Sequence, residues 1–299
     1  MTRSIRTYAQ VEKETRSGIL EQVLEQRDRL ARRMAGIGCI VAVVSGKGGV
    51  GKSAVTANLA TALARRGARV GALDADLNGP SLGRMLGAGN ARLRDGDDGV
   101  TPPTGAAGVR VISMDMLQAG ADAPLRWRGP EGDSFLWRGA AEAGVLREFL
   151  SDVVWGELDA LLIDVPPGTD RIGRLLELVR PHIALLVTTP AEMARVVVAR
   201  SARLLLDAGL DRIGIVANMT AFLAPDGTSH SLYSTDGARA LADQTGLPIW
   251  AEIPLDPRLA ELTDDGTPIT LADPTSATAR VFAALADRLG IEPRPNTRP

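Results

Sequence analysis

Short apolar runs alternate along most of the chain with segments that have helical spacing. Each run is rich in Val, Ile, Leu and Ala, which is typical of strands buried on both faces. Because helical segments separate these runs, we predict an α/β fold: a mostly parallel β-sheet covered by helices on both faces. The predicted strands are residues 67–73, 109–114, 158–164, 182–189, 212–217 and 248–253, together with the first run at 39–44.

The two ends of the chain differ from this alternation. Residues 16–36 place apolar side chains near one face of a helix whose other face is heavily charged. This helix either packs on the following domain or docks a partner or a second subunit. The last residues are rich in Pro and Arg, which predicts disorder. We therefore divide the chain into an N-terminal helical extension (1–37), one large domain (38–290) and a disordered tail (291–299).

Charge and cysteine content exclude several classes of protein. The 299 residues carry a formal net charge of -2, which argues against a nucleic-acid surface that works through bulk charge. The single cysteine, Cys39, can form neither a disulfide framework nor a CxxC metal site within one chain. No apolar window is long enough to span a bilayer, and the N-terminus lacks the apolar core of a signal peptide. We expect a cytoplasmic protein with neither a nucleic-acid nor a membrane partner.

The most informative stretch is the glycine-rich segment 45–53, SGKGGVGKS, which follows the first apolar run and precedes an Ala/Leu-rich helix. It matches G-x-x-x-x-G-K-[ST] in the strand-to-helix context that a phosphate-binding loop requires. Its glycines let backbone N–H groups approach a polyphosphate at the positive end of the helix. Lys52 would neutralise the β- and γ-phosphates, and the Ser53 hydroxyl would be a ligand of Mg²⁺. The predicted nucleotide-contacting residues of the loop are Gly46, Lys47, Gly48, Gly49, Val50, Gly51, Lys52, Ser53 and Ala54.

The alternative is a flexible glycine turn with two solvated lysines. The complete motif in its strand-to-helix context favours the phosphate loop. Lys47 is an extra lysine, and since one lysine suffices for one nucleotide, we expect the second to serve a different purpose.

Polar residues follow three of the predicted strands, at the edge where the phosphate loop lies. Asp74 and Asp76 follow the second strand; we expect Asp76 to orient the attacking water and Asp74 to lie nearer the metal or the structural network. Asp164 ends another strand before a Pro-Pro-Gly turn and is predicted to hold Mg²⁺. Asn218 is a candidate reader of the nucleotide base. The alternative for each is a polar residue that caps a turn at a strand end.

Taken together, these motifs resemble a known family. The phosphate loop looks like the deviant loop of the MinD/ParA class of dimeric P-loop ATPases. The segments LDADLNGPS (73–81), IDVPPGT (163–169), VTTP (187–190), NM (218–219) and IPLDP (253–257) resemble the Mrp/Nbp-type iron–sulfur cluster carrier ATPases. The resemblance covers residues 38–290, which would form the ATPase domain.

The resemblance implies roles for several residues. Lys47 would be the signature lysine that reaches the nucleotide of the facing subunit, so the active form would be a homodimer. Lys47, Lys52 and Asp76 would be the catalytic residues, Ser53 and Asp164 would hold Mg²⁺, and Asn218 and Pro254 would join the nucleotide contacts. The nucleotide implied by the family is ATP.

The chain departs from the family at one decisive point. The Cys-Pro-x-Cys that typically follows the Asn-Met element, and that holds a cluster between two subunits, is replaced by TAFLAPDGTSHS at 220–231. Thiolates are the usual cluster ligands, so an iron–sulfur cluster at this site is doubtful. Two hypotheses follow. One is an ATP-hydrolysing carrier or maturation factor for iron–sulfur proteins; the other is a cluster-free switch that uses ATP-dependent dimerisation to recruit a protein partner.

Overall fold

The structure is a computed structural model, and it describes residues 19–77, 79–89, 91–117, 135–224, 228–233 and 236–295. Within these ranges no helix has the length and apolar character needed to cross a membrane. The sequence predicts a loop-like insertion at 118–139, where Trp-Arg-Gly occurs twice, and the first part of it, 118–134, lies outside the described residues. A helix begins at Phe135.

A central sheet organises the fold. Its strands are β1 (Ile37–Ser45), β2 (Val70–Asp74), β5 (Arg110–Ile112), β6 (Leu158–Asp164), β7 (Ile183–Thr188), β8 (Ile213–Leu223), β9 (Ser229–Ser231) and β10 (Ile249–Leu255). Seven of them are parallel and run in the order β10-β8-β7-β1-β6-β2-β5, and β9 pairs antiparallel with β8. A separate antiparallel hairpin consists of β3 (Arg94–Gly96) and β4 (Gly99–Thr101). This hairpin lies within residues 87–108, whose content of Gly, Ala, Asp and Pro predicts a surface excursion.

Helices cover both faces of the sheet, which confirms the predicted fold class. The helices are α1 (Ile19–Ala35), α2 (Lys52–Arg65), α3 (Leu82–Met85), α4 (Phe135–Ser151), α5 (Thr169–Leu178), α6 (Glu192–Asp207), α7 (Gly237–Thr245), α8 (Pro257–Asp264), α9 (Ile269–Ala272) and α10 (Ala277–Leu289). Single turns of 3₁₀ helix occur at Ala106–Gly108 and Met114–Leu117.

The two faces of the sheet have separate apolar cores. On one face Leu59 and Leu63 of α2 pack with Phe282 of α10, and all three are fully buried. On the other face α1 and α4 to α7 pack on the sheet around the buried Trp155. The continuous burial of β2, β6 and β7 fits the apolar runs that predict them, because a strand covered on both faces shows no polar alternation.

Three segments at the two ends of the domain are held by specific contacts. The N-terminal helix contacts α4 and β1, so its described part packs on the domain. The last helix begins at Ala277, because Ser276 caps it by accepting the N–H of Ala279 at 3.1 Å. In the tail, the backbone N–H of Arg294 donates to Asp159 at 3.1 Å. Residues 296–299 lie outside the described part, so disorder of the tail stays a prediction.

Candidate nucleotide site

The glycine-rich loop connects β1 to α2 at the carboxyl edge of the sheet. Gly49 and Gly51 have φ of 77° and 79°, a backbone conformation that favours glycine. A Cβ on Gly51 would overlap the side-chain amide of Asn218. The Asn218 Nδ2 donates to the carbonyl of Val50 at 2.9 Å. Glycine at position 51 therefore lets β8 hold the loop directly through a buried amide.

The start of the loop is held differently. A Cβ on Gly46 would come within 2.7 Å of the backbone nitrogen of Val198 in α6, so this glycine permits close packing of loop and helix. The Ser45 hydroxyl donates to the carbonyl of Lys47 at 3.0 Å. Lys47 itself is exposed, and a Cβ on Gly48 would have open space around it. The exposed crest of the loop places Lys47 away from the buried Lys52.

Asp164, at the end of β6, lies beside the first turn of α2. It is fully buried and forms an ion pair with Lys52, whose side chain is also buried. The Thr56 hydroxyl lies 3.4 Å from the same carboxylate oxygen, Oδ1, and 3.0 Å from the carbonyl of Lys52. The other oxygen, Oδ2, is buried and has no hydrogen-bond partner among the described residues. A buried carboxylate oxygen without a partner is costly unless it has a further ligand, such as a metal ion or its water.

Asp74 lies next to Asp164, because the two residues are register partners in β2 and β6. Its Oδ1 accepts the N–H of Asp76 at 3.0 Å. Its Oδ2 accepts the N–H groups of Ser81 and Leu82, both at 2.9 Å, and the Ser113 hydroxyl at 3.0 Å. Of the two places that the sequence left open for Asp74, these contacts support the structural network. Ser113 was not among the predicted residues, since a single serine near the end of a predicted strand carries no signal.

The environment of Asp74 changes its acidity. Burial and the negative charge of Asp164 raise the pKa of Asp74 to about 7, although the three backbone N–H donors oppose this effect. Asp76 is half-buried, and its Oδ1 accepts the N–H of Gly79 at 3.2 Å. The charge of Asp76 also acts on Arg171 of α5. Asp76 thus lies between the Asp74 turn and the segment that follows Asp164.

The remaining predicted residues lie at the same edge. Ser53 and Ala54 are half-buried in the first turn of α2. Asn218 in β8 is the register partner of Ile253 in β10, so Pro254 lies one residue beyond that pair and is half-buried. Among the described residues no group of three or more His, Cys, Asp or Glu side chains could hold a metal ion by itself. A cation at Asp164 would therefore need the Ser53 hydroxyl, water or phosphate oxygens as further ligands.

Comparisons with known proteins agree with this arrangement. A family model described as ParA, NUBPL iron-transfer P-loop NTPase, matches residues 36–290. A relative from Deinococcus radiodurans called iron-sulfur cluster carrier protein is 41% identical over 293 residues, covering 94% of this chain and 80% of the relative. A relative of the same name from Saccharolobus solfataricus is 37% identical over 265 residues, covering 87% of this chain and 86% of the relative.

Solved structures give the same result. A nucleotide-binding protein from Archaeoglobus fulgidus in complex with ADP has a TM-score of 0.68 and 36% identity, covering 80% of this chain and 91% of that one. The cell division ATPase MinD of Pyrococcus furiosus has a TM-score of 0.58 and 28% identity, covering 85% of this chain and 98% of that one. The resemblance noted in the sequence is thereby confirmed, and this chain belongs to the ParA/NUBPL-type iron-transfer P-loop NTPase family.

Proposed function

We propose that the protein hydrolyses ATP to ADP and phosphate with Mg²⁺, and that it does so as a homodimer. The observation that supports this most directly is the Lys52–Asp164 pair at the start of α2, with the buried Asp164 Oδ2 lacking a partner among the described residues. In this pair, a cation that could contact the phosphates lies next to a carboxylate that could bind a metal ion. Bound Mg²⁺ would neutralise phosphate charge at this place.

Each remaining residue has a proposed task in that reaction. The loop amides and Lys52 stabilise charge on the phosphates, and Lys47 reaches the nucleotide of the facing subunit. Ser53 and Asp164 hold the metal, and Asp76 orients the attacking water. Asn218 and Pro254 are proposed to contact the nucleotide base. The Asn218–Val50 hydrogen bond gives Asn218 a second task, which is to hold the loop.

The residues do not fit a thiolate-bound cluster next to this site. The family position for the cluster cysteines corresponds to the β8–β9 hairpin, whose sequence contains no cysteine. Cys39, the single cysteine, lies near the start of β1, at the opposite edge of the sheet from the loop. We therefore propose a maturation factor for iron–sulfur proteins that recruits protein clients through ATP-dependent dimerisation. The names of the relatives favour a second candidate, an iron–sulfur cluster carrier. In this chain Cys39 would be the one cysteine ligand that such a carrier could use.

The first experiment tests the ATPase. Lys52→Ala should abolish ATP binding or hydrolysis, because it removes the cation in contact with the phosphates. Lys47→Ala should impair hydrolysis and dimer formation more than ATP binding, because this lysine is exposed on the loop crest. Arg203→Ala, which removes only an exposed pair with Asp207, is the control. Unchanged turnover in both lysine variants would contradict the assignment.

The second experiment separates the two candidates. The purified protein is reconstituted anaerobically with iron and sulfide, and iron per dimer and visible absorbance are measured for the wild type and for Cys39→Ser. We expect no stable cluster in either protein, which supports the cluster-free maturation factor. A stable cluster that is lost in Cys39→Ser would support the carrier instead.

A further inference from the structure

A pocket lies at the amino edge of the sheet, opposite the nucleotide loop. Its cavity volume is about 270 Å³, just below the range of about 300–1,000 Å³ that is typical of drug-sized ligand sites, so it suits a small ligand. It lies where β1 and β6 begin and where residues just before β7 and β8 meet the end of α10. The lining residues are Gly38, Cys39, Asp159, His182, Arg212, Leu289, Gly290, Ile291, Glu292 and Arg294. None of the nucleotide-site residues takes part in this lining.

The lining is rich in hydrogen-bond donors. The His182 Nδ1 accepts the N–H of Ile40 at 3.0 Å, so in the neutral ring the proton is on Nε2, which is a donor. One guanidinium nitrogen of Arg212 donates to the Leu289 carbonyl at 2.9 Å. A guanidinium group has further N–H donors, which this one carbonyl does not use. The guanidinium of Arg294 lies over Gly38, where a Cβ would overlap it. Glycine at position 38 thus makes room for a charged group at the pocket.

The acidic residues of the lining do not cancel these donors. Asp159 accepts three hydrogen bonds from Arg69, two from its side chain and one from its backbone, and a fourth from the Arg294 N–H. Its charge is therefore already paired with Arg69, which also contacts Glu157 at 3.0 Å. Glu292 is an exposed carboxylate, and it opposes the two positive charges of Arg212 and Arg294. The formal charges of the lining balance, with two arginines and two carboxylates, so its excess is in guanidinium and imidazole N–H donors rather than in charge.

We propose that this pocket binds a small carboxylate or phosphate anion. Arg212 and Arg294 supply the charge, and guanidinium groups match the planar oxygen pairs of such anions. The His182 ring adds an N–H donor at Nε2. The ligand would bind on the opposite edge of the sheet from ATP, so the two could be bound at the same time.

Cys39 provides a local reporter for this proposal, because it lines the pocket and is the only cysteine of the chain. The full chain is alkylated with iodoacetamide, a neutral reagent, and the rate of Cys39 labelling is followed by mass spectrometry. Burial raises the pKa of the thiol, so the reaction is run at about pH 8.5 to obtain enough thiolate. Citrate and inorganic phosphate are the two probes, and sodium chloride at equal ionic strength is the control.

We expect saturating citrate or phosphate to slow labelling about fivefold or more, because the bound anion covers the thiol. Whichever probe acts at the lower concentration identifies the oxyanion class. Arg294→Ala should raise the concentration for half-protection about tenfold, since it removes a charge-assisted donor and keeps the backbone N–H that contacts Asp159. Arg203→Ala should leave protection unchanged, because this exposed residue pairs with Asp207 on α6.

Two further results keep this test separate from the ATPase. Lys52→Ala should retain the protection, which shows that the probe does not act through the nucleotide loop. Protection that disappears in Lys52→Ala would overturn the proposal, as would equal slowing by sodium chloride. Equal half-protection concentrations in the wild type and Arg294→Ala would also overturn it, whatever the outcome of the ATPase experiments.

Discussion

Two aspartates at opposite ends of the same strand have very different surroundings. Asp159, at the amino end of β6, accepts four hydrogen bonds from Arg69 and Arg294. Asp164, at the carboxyl end, is fully buried, shares one oxygen between Lys52 and Thr56, and has a second oxygen without a partner among the described residues. A fully paired carboxylate stabilises the fold, whereas a buried carboxylate with unused capacity indicates a ligand site.

The largest expected effect comes from Asp164. Asp164→Asn removes the proposed metal ligand and its charge, so ATP turnover should fall by about a hundredfold or more. Circular dichroism would establish that the variant is folded, since the asparagine oxygen can still accept from Lys52. Turnover within about twofold of the wild type would show that Asp164 is not part of the chemistry.

Gly51 tests how the loop is held at the same edge. Gly51→Ala adds a Cβ that overlaps the Asn218 amide, in a backbone conformation with φ of 79°. We expect ATP binding, measured by calorimetry, to weaken about tenfold or more, because the Asn218–Val50 hydrogen bond must give way. Gly246→Ala is the matched control, since its φ is 72° but its Cβ would have open space. If Gly51→Ala and Gly246→Ala lost equal stability and bound ATP equally well, the Asn218 contact would not be what holds the loop for ATP binding.

Asp159 should behave in the opposite way to Asp164. Asp159→Asn weakens the contacts with Arg69 and should lower the free energy of unfolding by about 2–3 kcal/mol, measured with urea. ATP turnover should remain unchanged at temperatures where the variant is folded, because the residue lies at the other edge of the sheet. A loss of turnover comparable to that of Asp164→Asn would mean that the two ends of β6 are not functionally distinct.

A smaller effect should appear in the pH dependence of stability. Burial and the charge of Asp164 raise the pKa of Asp74 in the folded protein to about 7. The contribution of Asp74 to the free energy of unfolding is therefore complete below the pKa that Asp74 has in the unfolded chain, and it is lost as the pH rises through about 7. Burial alone would raise the pKa of Asp159, but hydrogen bonds with Arg69 and Arg294 outweigh this and lower it. The contribution of Asp159 to the free energy of unfolding is present above the pKa that Asp159 has in the unfolded chain, and it is lost as the pH falls through the lower pKa of the folded protein.

Urea unfolding at several pH values distinguishes these two signs. Asp74→Asn should flatten the fall in stability between about pH 5 and 8, and Asp159→Asn should alter only the acid side. An unchanged slope in Asp74→Asn over that range would show that Asp74 does not titrate there. The buffers should contain neither phosphate nor citrate, so that anion binding in the amino-edge pocket does not change the measured stability.

Local spacing in the sequence determined the alternation of strands and helices and the position of the phosphate loop. These features depend on neighbours within one or two elements, so apolar runs and the glycine pattern suffice to predict them. The same spacing brought Asp74, Asp164 and Asn218 to one edge, because all parallel strands end there.

Only the tertiary structure decided what each of these residues contacts. Asp74 holds Ser81, Leu82 and Ser113, and Asn218 holds Val50, because strand register places together residues that are far apart in the sequence. The amino-edge pocket left no pattern in the chain, since Arg212, His182 and Arg294 come from three separate segments. The partners of each side chain are set by how the helices and strands pack together, and a single sequence carries no signal for that packing.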